Sequence, residues 1–202
     1  ARASDRGRPR LWIDRVFAAK GSGTVVTGTL TGGRLDVDQN LVVGDHRVRV
    51  RSLQTAGRSA DEIGPGTRVA VNLGGVDHHD LARGDALVVP DRWHLTDRFD
   101  ASIHVLDALD HDLSRRGAFV AYIGSGEHAV RLRVLGTDTL APGTDGSVRW
   151  FLPQALPLLP NRRQFAFQMF ALVRRSLFGG FRLRPQHAND PIAGFLVVDP
   201  HA

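Results

Sequence analysis

Short runs of branched and apolar residues, each closed by glycine or by Asp/Asn, recur along this chain, and no long stretch keeps a helical period. The first series is Leu11–Phe17, Thr24–Leu30, Asn40–Val43, Val48–Thr55, Arg68–Leu73 and Ala86–Val89. Between these runs lie Gly21-Ser22-Gly23, Thr31-Gly32-Gly33, Val43-Gly44-Asp45, Gly64-Pro65-Gly66 and Arg83-Gly84-Asp85. Many short strands with glycine turns predict an all-β barrel or sandwich. Val89-Pro90-Asp91 closes the series, because proline ends strands and opens linkers. A second series follows: Phe99–Leu106, Ala118–Ile123, Ala129–Leu135, Ser147–Leu152, Phe181–Arg184 and Phe195–Val198. The expectation is two consecutive β domains, 1–91 and 92–202. Between Asn161 and Leu177 the apolar residues Phe165, Phe167, Met169, Ala171 and Val173 alternate, which favours a strand, although Arg174 and Arg175 also suit the end of a short helix.

With 42% apolar residues the chain can bury a core. Its formal net charge of +5 permits a polyanionic partner without requiring one. Of its 26 basic residues all but Lys20 are arginine, a bias that a GC-rich genome explains as readily as a need for guanidinium chemistry. There is no cysteine, hence no disulfide framework and no thiolate metal site. No apolar run approaches the ~20 residues that span a bilayer, and residues 1–10 lack the apolar core of a signal peptide. A cytoplasmic protein with no membrane partner is expected. The chain begins without methionine, as a piece of a longer protein would.

Residues Leu11 to Gly33 read LWIDRVFAAKGSGTVVTGTLTGG. Gly21 and Gly23 permit a tight turn with positive φ. Val25 and Val26 lie in the strand that follows, where Gly28 marks a bulge or a close backbone approach. Further along come Gly64-Pro65-Gly66-Thr67-Arg68-Val69-Ala70-Val71-Asn72-Leu73 and then Leu81-Ala82-Arg83-Gly84-Asp85. In this order these segments resemble the second domain of translational GTPases. Gly21-Ser22-Gly23-Thr24 is not a phosphate loop: the GxxxxGK[ST] spacing is missing and a strand follows where a helix N-terminus is needed. No Walker sequence occurs, so no catalytic residue is expected here.

Within that family, Ile13-Asp14-Arg15-Val16-Phe17, Arg49-Val50-Arg51-Ser52-Leu53-Gln54 and the arginine at 68 resemble the selenocysteine-specific elongation factors (SelB). The resemblance implies two barrels of domain II and domain III type. It places Asp14, Arg15 and Arg68 at the pocket for the esterified amino acid. A selenol is acidic enough to be largely ionised at neutral pH, whereas serine, the precursor on the same tRNA, is neutral. Two guanidinium groups and one carboxylate can separate them by charge. Adjacent residues of a regular strand face opposite sides, so Asp14 and Arg15 share one pocket only at a bulge or a strand end.

Residues Phe99 to Pro200 resemble the third domain of the same factors. The resemblance rests on Ala121 to Glu127 with Val130 to Leu135, on Arg149 to Pro160, on Phe181 to Arg184 and on Ile192 to Pro200. Residues Asn161 to Gly179 interrupt it. The family implication is phosphate contacts to tRNA, to which Arg115, Arg116, Arg131, Arg133, Arg162, Arg163, Arg174 and Arg175 are candidates. The implied partners are selenocysteinyl-tRNA, the ribosome, a GTPase domain outside these residues, and the messenger insertion element through further C-terminal domains. A monomer is expected, with no cofactor bound here; GTP and magnesium belong to the GTPase domain. The same barrels in elongation factor Tu or in the initiation factor 2 γ subunit, or a standalone nucleic-acid-binding β-barrel module, are the alternatives.

Asp77-His78-His79-Asp80 has metal-ligand residue types, but neighbours in a turn seldom converge on one ion and no metal site is expected. Asp107, Asp110, His111 and Asp112 read as a polar loop, and no nucleophile elbow accompanies the serines.

Overall fold

The computed structural model describes residues 3–19, 21, 23–160, 172–175 and 196–197. These residues divide into two compact units, the first built mainly from residues up to Thr96 and the second mainly from Asp97 to Ala155. Both are made of strands whose branched apolar residues alternate with polar ones, a pattern that buries one face of a pleated strand.

The first unit contains β1 (Arg10–Ala19), β2 (Gly23–Thr31), β3 (Leu35–Asp36), β4 (Asn40–Val43), β5 (His46–Thr55), β6 (Arg58–Ala60), β7 (Glu62–Ile63), β8 (Arg68–Gly74) and β9 (Ala86–Val88). They pair antiparallel in the order β4-β9-β1-β2-β8-β5, and β4 pairs with β5 as well, so the six strands close on themselves. β6 extends β5 as a hairpin, and β3 with β7 forms a separate ribbon. Ile13, Val26, Leu30, Val50, Leu53 and Val71 fill the interior with no exposed surface. Each such aliphatic side chain contributes about 1.5–3 kcal/mol by leaving water. The glycine motif is the β1–β2 hairpin turn, with Gly21 at φ 78° and Gly23 at φ 80°.

Two strands of this barrel carry an extra residue. In β1 the register against β2 shifts between Ile13 and Arg15, and in β5 the register against β8 shifts between Val50 and Ser52. Each irregularity reverses which residues point inward.

The remaining strands are β10 (Trp93–Val105), β11 (Leu113–Ser114), β12 (Phe119–Ile123), β13 (Gly126–Leu135), β14 (Thr139–Leu140), β15 (Asp145–Pro160), β16 (Leu172–Arg175) and β17 (Leu196–Val197). They build the second unit except for the start of β10 up to Thr96, Gly126 at the start of β13 and the end of β15 from Leu156, all of which belong to the first. A closed barrel runs β10-β15-β13-β12-β16-β17, and β11 pairs with β14. β13 alternates buried and exposed residues along its length. Trp150 and Phe99 stack inside, with ring centroids 6.4 Å apart.

The all-β architecture expected from the sequence is the one observed. Among the described residues the exception to strand and loop is a short 3-10 turn, His78–Asp80, and no helix is long and apolar enough to cross a membrane. Two strands are longer than their sequence pattern. β10 begins at Trp93 rather than Phe99, since Trp93–Arg98 lie on a largely exposed stretch with no apolar alternation. β15 continues past Leu152 to Pro160; its pairs with β13 cover Ser147–Phe151, so Pro153 and Pro157 lie beyond that ladder, where no N–H is needed for it. Arg174 and Arg175 lie in a strand, not at a helix end. Residues 161–171, 176–177 and the expected strand Phe181–Arg184 lie outside the described residues.

Candidate functional site

Ile13 on β1 faces Gly28 on β2, and Arg15 faces Thr27, which leaves Asp14 as the extra residue of a β-bulge. Ile13 is fully buried and Val16 packs against the same core. With 13 and 16 both inward, the two residues between them both face outward. The bulge therefore meets the condition that a regular strand denies, a shared side for Asp14 and Arg15. Gly28 lets the chain make this bend. A Cβ there would lie 2.2 Å from the Trp12 carbonyl oxygen and 2.7 Å from Leu11 Cδ2.

Arg68 opens β8 and stands opposite Thr29 of β2. Its Nη1 donates to Asp14 Oδ2 at 2.5 Å, and the Thr27 hydroxyl donates to Asp14 Oδ1 at 2.5 Å. Both carboxylate oxygens are thus engaged, and the Asp14 side chain is 20% exposed against 58% for Arg68. Burial pushes the Asp14 carboxyl up, but the Thr27 and Arg68 hydrogen bonds and the charges of Arg68 and Arg15 outweigh it and hold it below the usual carboxylate range. Asp14 is therefore an anion at neutral pH.

The local arithmetic leaves one positive charge in excess, since two guanidinium groups surround one carboxylate. Arg68 commits one nitrogen to Asp14, and the remaining donors of its fork are available. Arg15 is exposed and has no ion pair or hydrogen bond among the described residues. The arrangement suits a small anion that approaches from solvent and needs donors already fixed in place.

Thr27 was not among the residues read from the sequence as functional. Its outward position follows from the buried Val26 beside it, once the strand is known to alternate. The signal was present, but a threonine in a branched strand is ordinarily only a strand former.

The other candidate clusters are explained locally. Asp77, His78 and His79 bring ligand atoms within 4.8 Å of one another. The Asp77 carboxylate there caps the 3-10 turn by accepting from the His79 amide at 2.9 Å, and it pairs with His78 Nδ1 at 3.1 Å. His111 pairs with its neighbour Asp110, and Asp112 accepts from the Thr139 hydroxyl at 3.0 Å. In the second unit Arg131 and Arg133 point outward from β13, as do the exposed Arg115 and Arg116 on the loop before β12. Arg162 and Arg163 lie outside the described residues.

No protein-family model matches the chain. It is 37% identical over 150 residues to the selenocysteine-specific elongation factor of Desulfomicrobium baculatum, a match covering 73% of this chain and 24% of that protein. It is 35% identical over 108 residues to the selenocysteine-specific elongation factor of Methanocaldococcus jannaschii, covering 52% and 23% respectively. The crystal structure of translation elongation factor SelB from Methanococcus maripaludis in its apo form superposes with a TM-score of 0.69 at 22% identity, over 98% of this chain and 43% of that one. The chain matches about a quarter of the length of these curated relatives.

Proposed function

Because this chain belongs to the selenocysteine-specific elongation factors, we propose that its first barrel supplies the wall of the pocket that recognises a selenocysteinyl group esterified to tRNA. The parent protein then delivers selenocysteinyl-tRNA to the ribosome. The two barrels are its non-catalytic part, and GTP with magnesium is held by a GTPase domain outside these residues. The outward arginines of the second barrel contribute phosphate contacts to the tRNA body, which add affinity without sequence choice.

One observation carries this reading: the bulge at Asp14 turns Asp14 and Arg15 to the same outer side, where Asp14 also pairs with Arg68. Asp14 orients Arg68, and Arg15 completes a positive site for a selenolate. Serine brings a neutral hydroxyl to the same place and gains no ionic partner. Charge-assisted hydrogen bonds contribute ~1.5 kcal/mol each at the low end suited to exposed groups. Two of them give roughly a hundredfold preference.

The test compares two aminoacyl forms of one tRNA on the full-length parent protein with GTP bound. Selenocysteinyl-tRNA is expected to bind roughly a hundredfold tighter than seryl-tRNA. Equal affinities would overturn the selenocysteine reading and leave a general tRNA-binding factor.

A further inference from the structure

We propose that Ser125 is a positioning residue for the Asp14–Arg68 pair: its hydroxyl fixes the peptide from which Asp14 projects. The proposal rests on the reading of that pair as part of the amino-acid pocket. Ser125 lies in the turn between β12 and β13, whose residues 124–126 belong to the first unit. Its Oγ donates to the Ile13 carbonyl oxygen at 2.6 Å, from 112 residues away in sequence.

Ile13 is the last paired residue before the bulge on β1, and Asp14 is the extra one. The extra residue of a bulge has no ladder partner to orient it. It takes its direction from the peptide planes on either side. The Ile13 carbonyl and the Asp14 amide share one plane, so fixing that carbonyl fixes Asp14 N and Cα. On the edge away from β2, β1 parts from β9 after the pair Trp12–Ala86, just where the bulge begins. The turn Arg83-Gly84-Asp85 takes over there. The Gly84 amide donates to the Ile13 carbonyl at 2.9 Å, and the Ile13 amide donates to the Asp85 carbonyl at 2.8 Å. A carbonyl oxygen accepts two bonds, and the Ser125 hydroxyl supplies the second.

The backbone is shaped to bring this hydroxyl in. Arg83 Nε donates to the Ser125 carbonyl at 2.8 Å, so the turn that holds Ile13 also holds Ser125. Gly84 has φ 97°, and a Cβ there would lie 2.8 Å from Gly126 Cα. Gly124 has φ 62°, and a Cβ there would run into the Trp12 indole. Leu81–Asp85 and Ala121–Glu127, two segments that carry the family resemblance, thus meet at one carbonyl beside Asp14.

The experiment has two readouts. In the chain itself, NMR titration follows the Asp14 carboxyl in Ser125→Ala, Ser125→Thr and Thr24→Val. The Thr24 hydroxyl donates to the Val76 carbonyl at 2.8 Å, so Thr24→Val removes the same kind of bond from the same barrel, away from the bulge. Ser125→Ala is expected to move the Asp14 carboxyl up toward its ordinary range, Ser125→Thr to restore it and Thr24→Val to leave it in place. In the GTP-bound full-length protein, the ratio of seryl- to selenocysteinyl-tRNA dissociation constants is expected to fall about three- to tenfold in Ser125→Ala alone, the range of one neutral hydrogen bond. An Asp14 carboxyl that Ser125→Ala leaves unmoved, or that Thr24→Val moves as far, would overturn the proposal. So would a threonine that fails to restore it, or a selenocysteinyl preference that Ser125→Ala leaves intact. An unaltered protein with no preference would overturn the selenocysteine reading instead, and the Asp14 titration would still decide the role of Ser125.

Discussion

Asp14 and Arg68 stand 54 residues apart in sequence on strands that are not neighbours, yet Arg68 Nη1 lies 2.5 Å from Asp14 Oδ2, across the intervening β2. The bulge on β1 makes the reach possible by turning Asp14 outward beside Arg15. Thr27, on the strand between, holds the other carboxylate oxygen.

The depressed Asp14 carboxyl has a signed consequence for stability. A carboxyl lowered by folding contributes stability above its unfolded value of about 3.9, and loses it as pH falls below that value toward the folded one. Asp14→Asn is therefore expected to flatten the acid limb of the thermal midpoint plotted against pH below about 5, most of all below about 4. Calorimetry of both chains checks it. An acid limb as steep in the variant as in the parent would place the effect elsewhere.

Thr27→Val keeps the branched shape on β2 and removes the hydroxyl. It leaves one oxygen of a mostly buried carboxylate without its donor, a loss of about 1–3 kcal/mol. The Asp14 carboxyl is expected to rise toward its ordinary range, a shift that NMR titration follows directly. Thr29→Val, at an exposed position two residues on, is the matched control and is expected to change neither.

Gly28→Ala is expected to be the most damaging small substitution in β2. The new methyl would lie 2.2 Å from the Trp12 carbonyl oxygen, which belongs to backbone at the edge of the bulge. Overpacking of this kind costs about 1–3 kcal/mol and more where backbone must move. Gly64→Ala meets no atom within 4 Å and is expected to be near neutral, and urea titration of the two variants checks the difference.

Arg10 rests between two tryptophan faces, 5.0 Å from Trp12 and 4.2 Å from Trp93. Burial pushes its guanidinium down to about 10. The sign is the reverse of the Asp14 case: the unfolded chain binds the proton more tightly, so this group's penalty is full at neutral pH and eases as pH rises above about 10. The ring contacts offset that penalty. Trp93→Ala removes the closer face, and the thermal midpoint is expected to fall by about 2–6 °C, from a loss of roughly 1–2 kcal/mol.

The strands were legible because alternation records which side is buried. Leu11, Ile13, Val26 and Leu30 mark the inner face of the β1–β2 hairpin before any coordinate is known, and Gly21 and Gly23 mark its turn. The bulge was legible only in part. Gly28 marked a bulge or a close backbone approach on β2, but the extra residue on β1 shows only in the change of inward parity from Ile13 to Val16. The ribbons β3–β7 and β11–β14 are two residues long per strand, too short to carry a period. The resemblance named Asp14, Arg15 and Arg68 but not Thr27, since a hydrogen bond between strands depends on register.

The central claim is that Arg15 and Arg68, arranged around Asp14, read the charge of the amino acid. The most direct measurement is the ratio of seryl- to selenocysteinyl-tRNA dissociation constants on the full-length GTP-bound protein carrying Arg15→Ala, Arg68→Ala or, as a control outside the pocket, Arg58→Ala. The account predicts that the ratio falls at least roughly tenfold in each pocket variant, the loss of one charge-assisted contact, and is unchanged in the control. A ratio that survives both pocket substitutions would contradict it.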